Sequence, residues 1–162
     1  IQDIDDLLDK YAIFLRPKSY LLSDPENQLM SANPAIMECM RQWVKGMPAT
    51  RYAFLLRKDL FQLGQDPFLG YVVPAYQGQA LHLPLDGPMV ETLEETPCLR
   101  TIAAVDNSFQ GPEAVFDGMA ETLGKKRLKA AGTSVAVLIV VESIRHDHYR
   151  IYLDITTPVA LC

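Results

Sequence analysis

The sequence lacks several features that would place a protein in a specialised class. Its three cysteines, Cys39, Cys98 and Cys162, have spacings that suit neither a disulfide framework nor a metal site. No apolar run is long enough to span a membrane, and no signal peptide is visible. The 162 residues are sufficient for one hydrophobic core. These features favour a single globular domain in a reducing, cytoplasmic compartment.

Positive charge is also scarce. The net charge is −5 and the isoelectric point is about 5.1, whereas a nucleic-acid partner requires a basic face. The one basic concentration, from Lys125 to Lys129, falls near the end of a predicted helix, where cations complement the helix dipole. We therefore predict neither a nucleic-acid partner nor membrane insertion.

Recognisable catalytic sequence motifs are absent as well. The chain has no glycine-rich phosphate loop, no G-x-S-x-G and no H-E-x-x-H. Three weak groupings remain: Cys98 with His82, His146 with His148, and Glu142 with Asp154. Each lacks a further group that its chemistry needs, such as an orienting third residue or additional metal ligands. We therefore predict no metal site and no catalytic residue, and regard an enzyme as the less favoured class.

The most informative segment runs from residue 20 to residue 36. Asp24-Pro25-Glu26-Asn27 has the composition of a tight turn, and the leucines on each side favour a short hairpin. Asn33 then suits a helix N-cap and Pro34 the first helical position. Apolar residues recur behind it at helical spacing, which predicts a helix over 34–45.

The remaining patterns predict one α+β domain over 18–162, preceded by an amphipathic helix over 1–17. That helix either packs on the domain or links it to an upstream one. A second helix should begin near Gly111 and present Val115, Phe116, Met119, Leu123 and Leu128 on one face. A short helix is predicted over 89–95. Extended segments are predicted over 51–57, 68–76, 79–83, 99–105, 135–141 and 149–155.

Aromatic residues are concentrated in the first half of the chain. Four of them, Trp43, Phe54, Tyr71 and Tyr76, are candidates for lining an apolar ligand pocket. The alternative is that they simply fill the core.

Two segments resemble PAS sensor domains. Asp24 and Asn27 match the PAS turn, Asn33-Pro34-Ala35 matches the opening of its first helix, and Asp154-Ile155-Thr156 matches its closing strand. The resemblance implies a PAS/GAF-like α+β fold. Its central, mostly antiparallel sheet would have about five to six strands with helices packed against it. The strand that ends at Leu22 would then lie beside the final hairpin.

This resemblance implies a non-catalytic sensory or regulatory module of a larger signalling protein. Such a module would bind a small molecule or a partner domain, or form a homodimer, and transmit a change in packing. Two alternatives remain: an acidic interaction, inhibitor or assembly factor, and a small enzyme that uses Cys98 or the His146/His148 turn. The sequence specifies no cofactor.

Overall fold

Nine strands form an antiparallel sheet with four helices in the part of the chain that the computed structural model describes, residues 2–23, 34–56, 68–87, 89–106 and 112–162. The helices are α1 (Gln2–Leu7), α2 (Pro34–Lys45), α3 (Ala75–Ala80) and α4 (Pro112–Lys126). The strands are β1 (Ala12–Arg16), β2 (Ser19–Ser23), β3 (Arg51–Leu56), β4 (Phe68–Pro74), β5 (Val90–Leu93), β6 (Thr96–Asp106), β7 (Leu128–Ala130), β8 (Ser134–Arg145) and β9 (His148–Leu161). None of the described helices is long and apolar enough to span a membrane.

The strand order brings together segments that are distant in the sequence. It runs β1-β6-β9-β8-β3-β4-β2-β5, and β7 pairs with the end of β9. Strands β1 and β2 are neighbours in the chain, yet they lie near opposite ends of this order. Only Pro17 and Lys18 join them, so Arg16 and Ser19 lie within about 11 Å of each other. The sheet must therefore curve until its two ends meet.

The two faces of the curved sheet have different contents. Two helices pack on its outer face: α4 packs on Ala136, Leu153 and Ile155, and Trp43 of α2 packs on Leu22 and Tyr71. Side chains alternate between the faces along a strand. The inner face therefore holds the residues in between, and its apolar centre is formed by Leu21, Ala53 and Val135 with Val72, Leu93 and Val137.

The longer elements confirm several predictions. Helix α2 begins at Pro34 and ends at Lys45, as predicted. Helix α4 buries Val115, Phe116, Met119 and Leu123, whereas Leu128 lies in β7 rather than on this helix. Strands β3, β4, β6, β8 and β9 occupy five of the six predicted extended segments. The predicted turn at Asp24–Asn27 and the Asn33 cap lie outside the described residues.

Three local predictions are wrong. The helix predicted over 1–17 ends at Leu7, and residues 12–16 form β1, because their alternate side chains pack in register against β6. The extended segment at 79–83 is the end of α3 followed by a turn. The helix at 89–95 is replaced by β5, which pairs with β2. In two of the three, strand pairing outweighs the local pattern, because β1 pairs with β6 and β5 pairs with β2.

The size and order of the sheet also differ from expectation. The α+β class and the mostly antiparallel sheet are confirmed, but nine strands exceed the five to six predicted. Strand β2 lies between β4 and β5 and not beside the β8–β9 hairpin. The neighbour of that hairpin on the β9 side is β6, a strand of 11 residues. The placement of β2 that was expected of a PAS domain is therefore wrong.

A candidate ligand cavity on the inner face of the sheet

The curved sheet encloses a cavity of about 780 Å³ on its inner face. Its wall includes Phe14 and Arg16 from one end of the sheet and Leu93 from the other. Helix α3 and the segment that follows α2 complete it. This volume lies within the range of about 300–1,000 Å³ that is typical of small-molecule sites.

The floor of the cavity follows from strand alternation. Val137 pairs with Asp154, and Val135 pairs with Thr156, so these four side chains point into the cavity. The residues between them face α4 in the outer core. Polar Asp154 and Thr156 thus lie within an otherwise apolar floor, and a ligand there meets both kinds of surface.

The segment of residues 45–50 joins the cavity rim to α2. Residues Lys45 to Ala49 line the cavity. Thr50 is buried, and its Oγ1 donates a hydrogen bond of 2.7 Å to the carbonyl of Trp43 in α2. Trp43 Nε1 in turn donates to the carbonyl of Pro84. A contact made on this rim is therefore connected directly to the last turn of α2.

An ion pair occupies one part of the inner face. Arg100 donates from Nε to Asp154 Oδ1 at 3.0 Å and from Nη2 to Oδ2 at 2.8 Å. The side chains are 20% and 23% exposed. The guanidinium of Arg100 also lies over the Phe14 ring, 4.8 Å from its centroid. The carboxylate of Asp154 is thus held by two charge-assisted hydrogen bonds.

Arg16 is placed differently. Its Nη1 donates to Thr156 Oγ1 at 3.3 Å, while its Nε is buried and has no hydrogen-bond partner among the described residues. Two further cations, Lys45 and Arg51, line the cavity with exposed side chains. The guanidinium of Arg16 also acts on Cys98, whose pKa burial raises and this cation lowers in part.

The structure separates the four aromatic residues that the sequence grouped as a pocket. Only Tyr76 lines the cavity, and it is 70% exposed. Trp43 and Tyr71 are buried under α2 on the outer face, and Phe54 packs against the core beneath α4. These three residues serve as core, which was the alternative explanation.

The catalytic groupings are not assembled either. Cys98 is fully buried, its Sγ donates to the carbonyl of Thr96, and burial raises its pKa, which disfavours the nucleophilic thiolate. His82 lies in an exposed turn after α3. Glu142 pairs in register with Arg150, whereas Asp154 pairs with Val137, so the two carboxylates do not face each other.

Among the described residues, the histidine pair is not part of a metal-binding group. His146 lies in the tight turn between β8 and β9, and His148 begins β9. Within the described ranges, no group of three or more His, Cys, Asp or Glu side chains is arranged to hold a metal ion.

Sequence reasoning missed Arg16, Lys45 and Arg51 as cavity residues, and Arg100 as the partner of Asp154. The predicted helix over 1–17 concealed Arg16. One signal was present: the apolar residues from Ala12 to Leu15, closed by Pro17, also suit a short strand, and Phe14 and Arg16 then share one face. No local signal brings these cations together, since they come from four separate elements or loops.

Comparison with known proteins gives a fold and no family. No protein-family model matches the chain, and no curated protein sequence matches it. Among solved structures, a hydrolase from Listeria innocua superposes with a TM-score of 0.60 at 9% identity, over 98% of this chain and 96% of that chain. An uncharacterized conserved protein from Listeria innocua gives 0.59 at 10% identity, with the same coverage of 98% and 96%. The EcmrR C-terminal domain gives 0.55 at 9% identity, over 94% of this chain and 98% of that one. The fold is therefore shared with these proteins over nearly its whole length.

Proposed function

We propose that this chain is a sensory or regulatory module that binds a small molecule on the inner face of its sheet and passes the change to α2. The observation that carries the proposal is the cavity of about 780 Å³, which has an apolar floor and a few polar groups. Preformed, mostly apolar cavities of this kind are typical of small-molecule sites.

The connection to α2 supports the regulatory part of the proposal. A ligand that contacts Met47 or Ala49 acts on a segment that Thr50 ties to Trp43 by a buried hydrogen bond. Binding that favours one position of this segment shifts the packing of α2 on the outer face. An adjacent domain of the same polypeptide, or a protein partner, would then detect the altered position of α2.

The neutral fluorescent molecule N-phenyl-1-naphthylamine tests the cavity. We expect it to bind the wild-type chain and to change the emission of Trp43, the one tryptophan in the sequence. Val137 lines the floor, so Val137→Phe fills part of the cavity and should weaken binding about tenfold or more.

The matched control is Val141→Phe, the same substitution on the same strand at a side chain that is 49% exposed and outside the cavity. This variant should bind the naphthylamine as the wild type does. Equal binding by both variants, or no change in Trp43 emission on binding, would contradict the proposed function.

A second candidate function is hydrolysis, favoured because two of the similar structures are described as hydrolases. In this chain Asp154 is the carboxylate that lines the cavity, and Arg100 holds both of its oxygens. Both oxygens of this carboxylate are therefore already engaged by an ion-pair partner. Hydrolysis of p-nitrophenyl esters that is lost in Asp154→Asn would replace ligand sensing as the conclusion.

A further inference from the structure

We infer that the molecule bound in the cavity is a small organic anion with an apolar body, such as an aromatic or aliphatic carboxylate, whose charged group binds Arg16. This inference rests on the proposed function and adds the chemical class of the ligand.

Two arginines on the same face carry the argument. Arg100 presents its Nε and Nη2 to a carboxylate, that of Asp154, at 3.0 and 2.8 Å. Arg16 uses Nη1 for Thr156, and its Nε is buried with no partner among the described residues. That Nε therefore lacks an acceptor from the described part of the chain, whereas the Nε of Arg100 donates to a carboxylate. A buried N–H without an acceptor is unfavourable, and a guanidinium matches the two oxygens of a carboxylate or sulfonate.

The charge of the cavity lining also favours an anionic ligand. Its lining contains the cations Arg16, Lys45 and Arg51 and one carboxylate, Asp154, which Arg100 neutralises. Lys45 also interacts electrostatically with Glu38, which lies earlier on α2 and outside the cavity lining. Glu91 shares the inner face with Leu21 by register, but it is exposed and outside the lining as well. The described lining thus has an excess of positive charge, although the chain as a whole is acidic.

The remaining wall defines the body of the ligand. Val135, Val137 and Val72 form an apolar floor, and Leu93 and Phe14 extend it toward the two ends of the sheet. An inorganic anion such as phosphate would leave this surface hydrated. An organic anion places its hydrocarbon part on the floor and its oxygens against Arg16, so it satisfies both parts of the wall.

Two fluorescent molecules with the same ring system test the inference. 8-Anilinonaphthalene-1-sulfonate is N-phenyl-1-naphthylamine with an added sulfonate, whose oxygens accept hydrogen bonds as those of a carboxylate do. We expect the wild-type chain to bind the sulfonate about tenfold or more tightly than the neutral amine. Arg16→Gln should remove most of that difference, because it weakens binding of the sulfonate far more than binding of the neutral amine.

Two controls and one competition complete the design. Lys126→Gln removes an exposed cation at the end of α4, outside the cavity lining, and should change neither affinity. Octanoate should displace the sulfonate from the wild type, whereas octyltrimethylammonium, which carries the opposite charge, should not. Added NaCl should weaken binding of the sulfonate alone, which tests the charge without any substitution if Arg16→Gln fails to fold.

The outcomes separate this inference from the function beneath it. If the neutral amine binds as tightly as the sulfonate and Val137→Phe weakens both, the cavity binds ligands but the anion inference is overturned. If Lys126→Gln weakens the sulfonate as much as Arg16→Gln does, general surface charge explains the preference and the inference is again overturned. If neither molecule binds, the proposed function fails and the inference fails with it.

Discussion

At the scale of single residues, the glycines of α4 show how a distant side chain fixes one position and leaves another free. A Cβ at Gly118 would lie 2.8 Å from Cζ of Tyr11, a residue that precedes β1 and donates from its hydroxyl to the carbonyl of Val115. A Cβ at Gly124 would meet nothing within 4 Å. Glycine at position 118 is therefore required by packing across about a hundred residues of sequence, whereas position 124 is not constrained.

We expect Gly118→Ala to lower the free energy of unfolding by about 1–3 kcal/mol, because the added methyl displaces the packed Tyr11 ring. Gly124→Ala is the matched control, and it should raise the same quantity by up to about 1 kcal/mol, since alanine has the higher helix propensity. Urea titration of both variants measures the difference. Stabilisation by both substitutions would show that Tyr11 yields without cost.

The surroundings of one residue, Arg16, also explain why the sequence does not predict the cavity. The sequence pattern predicts a helix around Arg16, in which its neighbours on one face are three or four residues away. In the strand, its partners are Thr96 across the β1–β6 pair and Thr156 on β9. The role of an ionised side chain depends on such partners, and pattern reasoning on one segment does not supply them.

At the scale of elements, the helix predictions are correct where the segment is long enough for its hydrophobic periodicity to be clear. Helix α2 over 12 residues and helix α4 over 15 carry enough turns for their apolar faces to be recognised. Strand β5 has four residues and helix α3 six. Segments of that length fit both periods, so the pairing of β5 with β2 decided the outcome.

The hydrogen bond from Thr50 to the last turn of α2 can be tested together with its proposed coupling to the cavity rim. Thr50 is 1% exposed and donates to the carbonyl of Trp43. Thr50→Val keeps the shape but removes this donor, while the N–H of Gly46 still donates to the same carbonyl, so we expect a loss of about 0.5–1.5 kcal/mol in the free energy of unfolding. Trp43 emission should change as well, because the last turn of α2 loosens.

Thr50→Ser is the matched control for this prediction, since it keeps the hydroxyl and removes the methyl. It should retain the emission of the wild type and lose less stability than the valine variant. If the serine variant altered Trp43 emission and the valine variant did not, the Thr50 hydroxyl would not be what couples the rim to α2.

At the scale of the whole molecule, the sequence predicts the fold class but not the closure of the sheet. An α+β chain with an antiparallel sheet followed from the order of the elements. The strand order did not, because β1 pairs with β6 and β2 with β4 and β5, across long stretches of chain. The cavity lies between the two ends of that sheet, which Pro17 and Lys18 bring together. A pocket predicted from aromatic content takes no account of this closure.

Burial of ionisable groups makes the stability of the folded chain depend on pH. Burial is the main cause that raises the pKa of Cys39 and Cys98, and also that of Tyr11 and Tyr71. The folded chain therefore holds these protons more tightly than the unfolded chain does. Their contribution to stability is fully present below the pKa of an unfolded thiol, about 8.5, and is lost as the pH rises through the folded values.

We expect the free energy of unfolding to decline progressively above about pH 8.5, as measured by urea titration at a series of pH values. Cys98→Ala should be less stable at neutral pH, because a fully buried side chain is shortened. Its decline with alkaline pH should nevertheless be shallower, because one of the four titrating groups is gone. Cys162→Ala alters an exposed thiol and should leave the stability at neutral pH unchanged. A Cys98→Ala slope as steep as that of the wild type would mean that burial of this thiol does not contribute to the alkaline loss.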